Sequence, residues 1–292
     1  MLASALVLYT EIVSTLSRNQ SHIRAFYKAM SRAWGPQHWW PARTRLEVIV
    51  GAFLAQNTSW TNVERAIGQL RRKKLLSVAA LRRVRSENLE SCVRSAGYFR
   101  QKARRLKAFI EFLDARYGGS LKRMFAQPPE DLRQQLLALN GVGPETADSI
   151  LLYAGNHPVF VVDAYTRRIL DRHGILPANA PYEQVRALFE SALGRQFQLS
   201  SEVFPNQLKQ AKCERGNLKL ETELRGAAHL PSPMSTARRT ELAQVLNEMH
   251  ALIVGVGKKH CLKVAPQCKG CPLEKFLHFT AETQHAEPDE DR

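Results

Sequence analysis

The sequence contains no long apolar run and no stretch in which apolar and polar residues alternate. The first absence excludes a membrane-spanning helix, which needs about 20 consecutive apolar residues. The second argues against half-buried β-strands, whose side chains point alternately to the two faces of a sheet. The apolar opening MLASALVLYTEIVSTLS lacks the basic residues with which a signal peptide begins, and Glu11 interrupts it, so we do not expect a signal peptide. An all-α protein is therefore predicted.

Cysteine is also scarce, with five residues in 292. This number is too small for a disulfide framework in a chain of this length. Three of the five lie close together as Cys261-x6-Cys268-x2-Cys271. We therefore expect a reducing compartment, the cytoplasm, and a metal site built from this cluster.

The sequence has fewer acidic than basic residues, with 27 aspartates and glutamates against 42 lysines and arginines, and its net charge is +15. Such an excess attracts polyanions. Nucleic acid is the first candidate partner. An anionic membrane surface is the second, but no amphipathic anchor segment supports it.

The apolar residues recur with the helical period in several segments. One such face comprises Leu46, Ile49, Val50, Phe53 and Leu54, and the last long one comprises Leu242, Val245, Leu246, Met249, Leu252, Ile253 and Val256. Thr61 and Glu64 have the spacing of a capping box at a helix start. Lys102, Arg104 and Arg105 are predicted to form a solvated basic helix face.

The stretch from Leu139 to Arg172 organises the rest of the chain. Gly141-Val142-Gly143 predicts a sharp turn whose backbone N–H groups are uncovered, and Pro144 suits the first position of the next helix. A glycine turn ahead of a helix N-terminus is suited to binding phosphate. The apolar run 159–162 then leads to Asp163, which is predicted to cap the following helix.

Within this stretch, GVG-x-x-TA followed by VVDAYTRR resembles the helix-hairpin-helix and catalytic-aspartate loop of DNA glycosylases similar to endonuclease III. The alternative is an ordinary connection between helices with a capping aspartate. The resemblance covers roughly residues 30–195 and 240–277. It implies two helical subdomains with a DNA-binding cleft between them, the first and last helices in one lobe and the hairpin in the other.

The resulting domain prediction has five parts. They are a helical extension (1–33), a helix-hairpin-helix core (34–195, with a barrel lobe at about 60–172), an insertion or mobile loop (196–237), a closing helix with the cysteine loop (238–280) and a disordered acidic tail (281–292).

The resemblance assigns Asp163 as the catalytic residue. A carboxylate stabilises the positive charge that develops on the sugar when an N-glycosidic bond breaks, and it can orient or deprotonate the attacking water. Bifunctional relatives have a lysine at the position of Glu145, where its amine forms a Schiff base. A carboxylate cannot form an imine, so we predict a water nucleophile and no lyase activity.

The segment Trp39-Trp40-Pro41 and the aromatic residue Trp60 resemble the base pocket of the 3-methyladenine glycosylase branch. A base flipped out of the duplex is held there between flat apolar groups. The resemblance therefore implies an alkylated purine as substrate. The alternative is that Trp39 and Trp40 are ordinary core aromatics.

The resemblance also implies the DNA contacts. Gln56 matches the residue that fills the gap left by the flipped base, and Tyr98 lies where a second wedge residue is expected; a polar residue at a helix end is the alternative for Gln56. Arg167 is predicted to contact phosphate or a nearby acid. The remaining predicted contacts come from the hairpin turn, Gly141, Val142 and Gly143.

The cysteine spacing matches three quarters of the family's [4Fe–4S] pattern, C-x6-C-x2-C-x5-C, with Leu277 at the fourth position. Three alternatives remain for this loop: an iron–sulfur cluster with an incomplete cysteine set, a zinc ion bound with His260 or His278, and no metal. Cys213 is a more remote candidate for the missing ligand. In relatives that have the cluster, it helps to present basic residues to DNA. Lys258 and Lys259 would have this role here.

The sequence therefore predicts a monofunctional DNA glycosylase of base excision repair that acts as a monomer on double-stranded DNA containing damaged bases. Its location would be the cytoplasm, on the nucleoid if the cell is bacterial. The alternatives are an endonuclease III-type glycosylase and abasic-site lyase acting on other lesions, and a non-catalytic DNA-binding protein.

Overall fold

The computed structural model describes residues 2–194 and 229–277, and the part of the chain that it describes is helical, without a β-strand. The prediction of an all-α fold is confirmed. No helix in the same residues is long and apolar enough to cross a lipid bilayer. The acidic tail, Cys213, His278 and most of the predicted insertion lie outside the described ranges.

Twelve α-helices follow one another along the described chain. They are α1 (Leu2–Trp34), α2 (Arg45–Ala55), α3 (Trp60–Arg72), α4 (Val78–Arg83), α5 (Ser86–Val93), α6 (Phe99–Tyr117), α7 (Leu121–Met124), α8 (Pro129–Leu137), α9 (Pro144–Ser149), α10 (Ala164–Arg172), α11 (Tyr182–Ala192) and α12 (Glu241–Lys259).

The helices pack in two groups. Helix α1 contacts α11 and α12, and α12 also packs along α10. Helices α2, α3, α5 and α6 pack on one another, and α9 contacts α2 of this second group as well as α8. The first and last helices thus lie together, as the sequence predicted. The predicted extension 1–33 contributes Phe26, Tyr27 and Met30 to the core.

Helix α3 begins two residues earlier than the capping-box prediction requires. Ser59 is its N-cap, and its side chain makes no capping hydrogen bond. Glu64 does not reach back to the backbone, because its Oε1 accepts a 2.8 Å hydrogen bond from Trp60 Nε1. The capping box at Thr61 and Glu64 was therefore a wrong prediction.

Lys102 is not on the solvated face of α6, as the charge pattern predicted, but is buried. Its Nζ donates hydrogen bonds to Leu54 O at 2.9 Å and to Ala96 O at 2.7 Å. Burial lowers the pKa of Lys102 to about 8, so the ammonium is still mostly protonated at neutral pH. Lys102 thereby links the C-terminal end of α2 to the turn before α6. Each of these segments is followed by a predicted DNA contact, Gln56 after α2 and Tyr98 after the turn.

The helix after the hairpin widens before it ends. Residues Ile150–Ala154 form a π-helical turn, and Gly155 N–H donates to Ile150 O five residues earlier. All five side chains of this turn are buried. The sequence predicted one regular helix here; π turns often occur next to functional sites.

The hairpin turn between α8 and α9 depends on its first glycine. Gly141 has φ +78°, and a Cβ placed on it would lie 2.0 Å from Arg105 Nε. Gly143, by contrast, has φ −93° and caps α9, and a Cβ on Gly143 would meet nothing within 4 Å. Only Gly141 therefore requires glycine for both its backbone angle and its close neighbour.

We expect Gly141→Ala to lower the free energy of unfolding by about 1–3 kcal/mol, because the alanine is strained at positive φ and displaces Arg105. The matched control Gly143→Ala should cost less than about 1 kcal/mol, since an ordinary φ accepts a side chain. Urea denaturation of the three proteins measures both values. Equal losses for the two variants would contradict this account of the turn.

Candidate functional site

Asp163 caps α10, as predicted. Its Oδ1 accepts hydrogen bonds from Thr166 N at 2.8 Å and from Thr166 Oγ1 at 2.9 Å. The buried segment before it is fixed by Phe160 N, which donates to Glu190 Oε1, and by Val162 N, which donates to Tyr182 Oη. The carboxylate is thus held at a helix N-terminus, where the helix dipole favours negative charge.

The other oxygen of Asp163 faces α12. Its Oδ2 lies 3.6 Å from His250 Nε2, and the Asp163 side chain is 13% exposed. His250 is buried, and its Nδ1 lies 2.6 Å from Tyr153 Oη. Sequence reasoning missed both residues, because His250 follows directly on the apolar face of α12 and Tyr153 lies within an apolar helix.

Glu145 provides a second carboxylate close to Asp163. Desolvation raises the pKa of Glu145 to about 7, repulsion by Asp163 raises it further, and attraction to Arg167 opposes the rise. Part of the Glu145 residue is nevertheless exposed to solvent. Glu145 is thus a second carboxyl group that interacts electrostatically with the capping aspartate, and both its protonated and its ionised forms occur at neutral pH.

The predicted pocket residues form one aromatic cluster. The Trp40 ring packs edge-on against Trp60 with centroids 5.0 Å apart, and it also contacts Tyr153 at 5.0 Å. Trp39 lies 6.3 Å from both Trp60 and His250. Trp39 and Trp40 are buried, whereas Trp60 and Pro41 are half-buried.

Because Trp39 and Trp40 are buried, both side chains contribute to the hydrophobic core. Gly51 makes the packing possible, because a Cβ there would lie 3.1 Å from Trp40 Cζ2.

Lys258 stands at the edge of the aromatic cluster, although the sequence suggested a role beside the cysteine loop. Its Nζ lies 5.8 Å from the centre of the Trp39 ring, on which the imidazole of His229 also packs. Burial lowers the pKa of Lys258, while Asp163 and Glu64 act in the opposite direction. Lys258 is thus the lysine that the described structure brings into the electrostatic field of Asp163, which its sequence position did not reveal.

Gln56 connects the end of α2 to the hairpin. Its Nε2 donates to Gly141 O at 3.0 Å and to Thr146 Oγ1 at 2.9 Å. Arg105 Nη1 donates to Gln56 Oε1. All the polar atoms of the Gln56 side chain are therefore engaged within the protein.

Tyr98 and Arg167 have different surroundings. Tyr98 adopts a left-handed backbone conformation, with φ +45°, ahead of α6, and its side chain is 70% exposed. Arg167 Nη1 donates to Ala178 O at 3.2 Å and to Ala180 O at 2.5 Å, so this guanidinium fixes the loop after α10.

The three cysteines of the cysteine loop do not form a complete ligand set in the described structure. Cys261 is buried, Cys268 and Cys271 are half-buried, and Arg172 Nη1 lies 3.2 Å from Cys261 Sγ. Leu277 supplies no donor atom, and His260 Nδ1 already contacts Gln267 O while its ring stacks on Trp34. No group of three potential ligands suited to a metal ion occurs among residues 2–194 and 229–277. The described residues therefore do not form a complete cluster or zinc site.

The geometry as a whole places a fixed carboxylate beside a second carboxyl group, with an aromatic cluster and one ammonium on the adjoining side. Such a constellation can stabilise a developing cation and hold a water molecule against it. It lacks a lysine at the position after the hairpin from which a Schiff base would form in bifunctional relatives.

Comparison with known proteins relates the chain to DNA repair proteins. Residues 50–195 match the family model of the HhH-GPD superfamily of base excision DNA repair proteins. A protein of Methanocaldococcus jannaschii named as a candidate DNA repair glycosylase is 37% identical over 257 residues, which cover 87% of this chain and 94% of that protein. Endonuclease III of Thermotoga maritima is 32% identical over 145 residues, or 48% of this chain and 62% of the relative.

Solved structures show the same fold. A 3-methyladenine DNA glycosylase of Helicobacter pylori superposes with a TM-score of 0.63 at 22% identity, covering 82% of this chain and 97% of that one. An endonuclease III in a non-covalent DNA complex gives a TM-score of 0.63 at 20% identity, covering 89% and 95%. The resemblance inferred from the hairpin and the aspartate loop is confirmed: this chain belongs to the HhH-GPD superfamily of base excision DNA repair glycosylases.

Proposed function

We propose that the protein removes a damaged base from double-stranded DNA by hydrolysis, with Asp163 as the catalytic carboxylate. The observation that carries this proposal is the pairing of a fixed Asp163 with Glu145, a residue that cannot form an imine. The protein would act as a monomer, in the cytoplasm or on the nucleoid of a bacterial cell. Its net charge of +15 supports binding to the DNA backbone.

In the proposed reaction the base leaves with the electron pair of the N-glycosidic bond, and positive charge develops on the sugar. Asp163 stabilises this charge at short range. Water adds to the anomeric carbon and transfers its proton to the Asp163 carboxylate, which later releases it to solvent. A base that is cationic in the substrate takes the electron pair of the broken bond and departs as a neutral molecule, so it needs no proton. Glu145, whose pKa is raised to about 7, carries a proton in part of the molecules and so limits repulsion of Asp163.

Three elements are proposed to hold the DNA. The hairpin turn at Gly141, Val142 and Gly143 binds phosphate through its glycine N–H groups, because the N–H of Val142, predicted to be uncovered, donates to Leu139 O. Tyr98 projects from the surface as a wedge, and Gln56 fills the space of the flipped base. Exposure of Tyr98 and the position of Gln56 beside the hairpin support these roles. Gln56 must release Gly141 O and Thr146 to enter the duplex. Arg167 is proposed to act through the loop that it fixes and through its attraction to Glu145.

For the substrate we propose an N-alkylated purine, with Trp60 as the half-buried face on which the base stacks and Trp39, Trp40 and Pro41 behind it. A cationic base gains about 0.5–2 kcal/mol from an aromatic face. Lys258 already occupies one face of Trp39, so this gain depends chiefly on Trp60. The H. pylori neighbour, a 3-methyladenine glycosylase, was solved with 1,N6-ethenoadenine.

Lys258 favours a second candidate function, that of a glycosylase with lyase activity. Burial lowers its pKa, which increases the fraction of free amine, and its charge interacts with Asp163. In the described site, the Lys258 amine is the group that could replace water as the nucleophile. The two candidates differ in whether a covalent DNA adduct forms.

Asp163→Asn should reduce the single-turnover rate of base release about 100-fold or more, because the charge that stabilises the sugar cation is removed. Affinity for the same duplex should change little, since the amide still caps α10. Gel-shift titration and quantification of released base measure the two properties. Unchanged base release in a folded Asp163→Asn protein would refute the assignment of this residue.

Borohydride treatment with abasic DNA separates the two candidate functions. We expect no trapped adduct with the wild-type protein and a trapped adduct with Glu145→Lys, because that variant restores an amine at the hairpin position. Lys258→Arg keeps the charge but cannot form an imine. A wild-type adduct that disappears in Lys258→Arg would establish the lyase alternative and overturn the hydrolytic proposal.

A panel of duplexes carrying different lesions tests the substrate class. We expect N-alkylated purines to be released at least about tenfold faster than oxidised purines, uracil or oxidised pyrimidines, because an alkylated base is both a better leaving group and a better partner for an aromatic face. Trp60→Leu should reduce this preference and leave duplex affinity near its original value. Preferential release of an oxidised or mismatched base would contradict the proposed substrate.

A further inference from the structure

His250 occupies a buried position from which it can act on Asp163. Its ring is surrounded by the aromatic rings of Tyr153, Phe160 and Trp39, with centroid distances of 5.9, 6.1 and 6.3 Å. Of its two nitrogens, Nδ1 faces Tyr153 Oη and Nε2 faces Asp163 Oδ2. Nε2 is buried and has no hydrogen-bond partner within bonding distance.

The protonation of this chain of groups follows from its surroundings. Burial lowers the pKa of His250, so the imidazole is neutral at physiological pH and its contact with Asp163 is not an ion pair. Burial and the negative charge of Asp163 raise the pKa of Tyr153 well above its ordinary value, so its hydroxyl keeps the proton.

These two facts select one tautomer of His250. A carboxylate oxygen can only accept, so the favourable arrangement places the imidazole proton on Nε2. The free electron pair is then on Nδ1, where it accepts the hydrogen bond from the Tyr153 hydroxyl at 2.6 Å.

We propose that His250 is a positioning residue for Asp163, held by Tyr153 in the tautomer whose Nε2–H points at Oδ2. The proposal rests on the proposed function, since it assumes that Asp163 does the chemistry. Thr166 hydrogen-bonds to Oδ1, and His250 lies beside Oδ2, so its Nε2–H is placed to hold the second oxygen. The 3.6 Å separation shortens when substrate binds, as is common for hydrogen bonds at catalytic sites.

A neutral donor in an apolar cage stabilises the ionised form of the carboxylate without neutralising it. A carboxylate stabilised in this way can act on the sugar cation as that cation develops. The other titratable groups that interact with Asp163 are Glu145 on α9, Lys258 on α12 and Tyr153 on the π turn. His250 differs from these groups because its free Nε2 lies beside Oδ2, so the effect of removing it can be told apart from theirs.

The test compares His250→Leu, which removes the donor, with His250→Gln, whose side-chain amide can still donate near Nε2. In His250→Leu we expect single-turnover base release to fall about 10- to 100-fold and the acid limb of the pH profile to move upward by about one unit, because an undonated carboxylate binds a proton more readily. His250→Gln should recover most of the rate and return the limb toward its original pH. Repeating the comparison in a Glu145→Gln background assigns the limb to Asp163.

Tyr153→Phe is the second variant, chosen because it removes only the hydroxyl that selects the tautomer. It should slow base release about 3- to 10-fold and shift the acid limb in the same direction, and it should add nothing to His250→Leu in the double variant. This variant also provides the answer where His250→Leu does not fold.

Three outcomes overturn the proposal while Asp163→Asn remains inactive. They are an unmoved acid limb in His250→Leu or in Tyr153→Phe, an equal loss in His250→Gln and His250→Leu without a pH shift, and additive effects in the double variant. Full activity of Asp163→Asn would instead refute the proposed function itself, so the two failures are distinguishable.

Discussion

One carboxylate at the contact between two packed helices organises the candidate site. Asp163 satisfies the first turn of α10 through Thr166, and α10 lies against α12, which places His250 beside the second oxygen. The Thr166 hydrogen bonds hold one oxygen, and His250 is placed to donate to the other. The Asp163 side chain is 13% exposed, so its electrostatic field acts at short range with little screening. That field contributes to the pKa shifts of Glu145 and Lys258, for which burial is the larger cause.

Much of this fold could be predicted because its signals are local. Apolar spacing defines α2, α6 and α12, and the glycine turn with its following proline defines the hairpin. The capping function of Asp163 follows from its position before a helix. The capping box on α3 failed because a nearby tryptophan competes for Glu64, a contact that spacing alone does not reveal.

The sequence did not predict the hydrogen bonds of polar side chains whose partners lie far away in the sequence. Lys102 has the sequence context of an exposed lysine, yet it binds a carbonyl 48 residues earlier. Gln56 reaches a hairpin carbonyl 85 residues later, and Tyr153 meets His250 across 97 residues. A sequence shows which side chains can donate or accept hydrogen bonds, whereas the packing of the two helix groups decides where they do so. Their roles could therefore be derived only from the structure.

The charges around Asp163 also bear on which base the site can accept. Burial raises the pKa of Glu145 to about 7 and lowers the pKa values of His250 and Lys258, so the three groups beside Asp163 are all shifted toward their uncharged forms. A cationic base is attracted by the Asp163 carboxylate, whereas a neutral base is not and an anionic one is repelled. After the bond breaks, an alkylated purine leaves as a neutral molecule while positive charge has moved to the sugar beside Asp163. Attraction to the site thus shifts from the base to the sugar as the reaction proceeds, and an attraction that strengthens toward the transition state is the kind that accelerates the reaction.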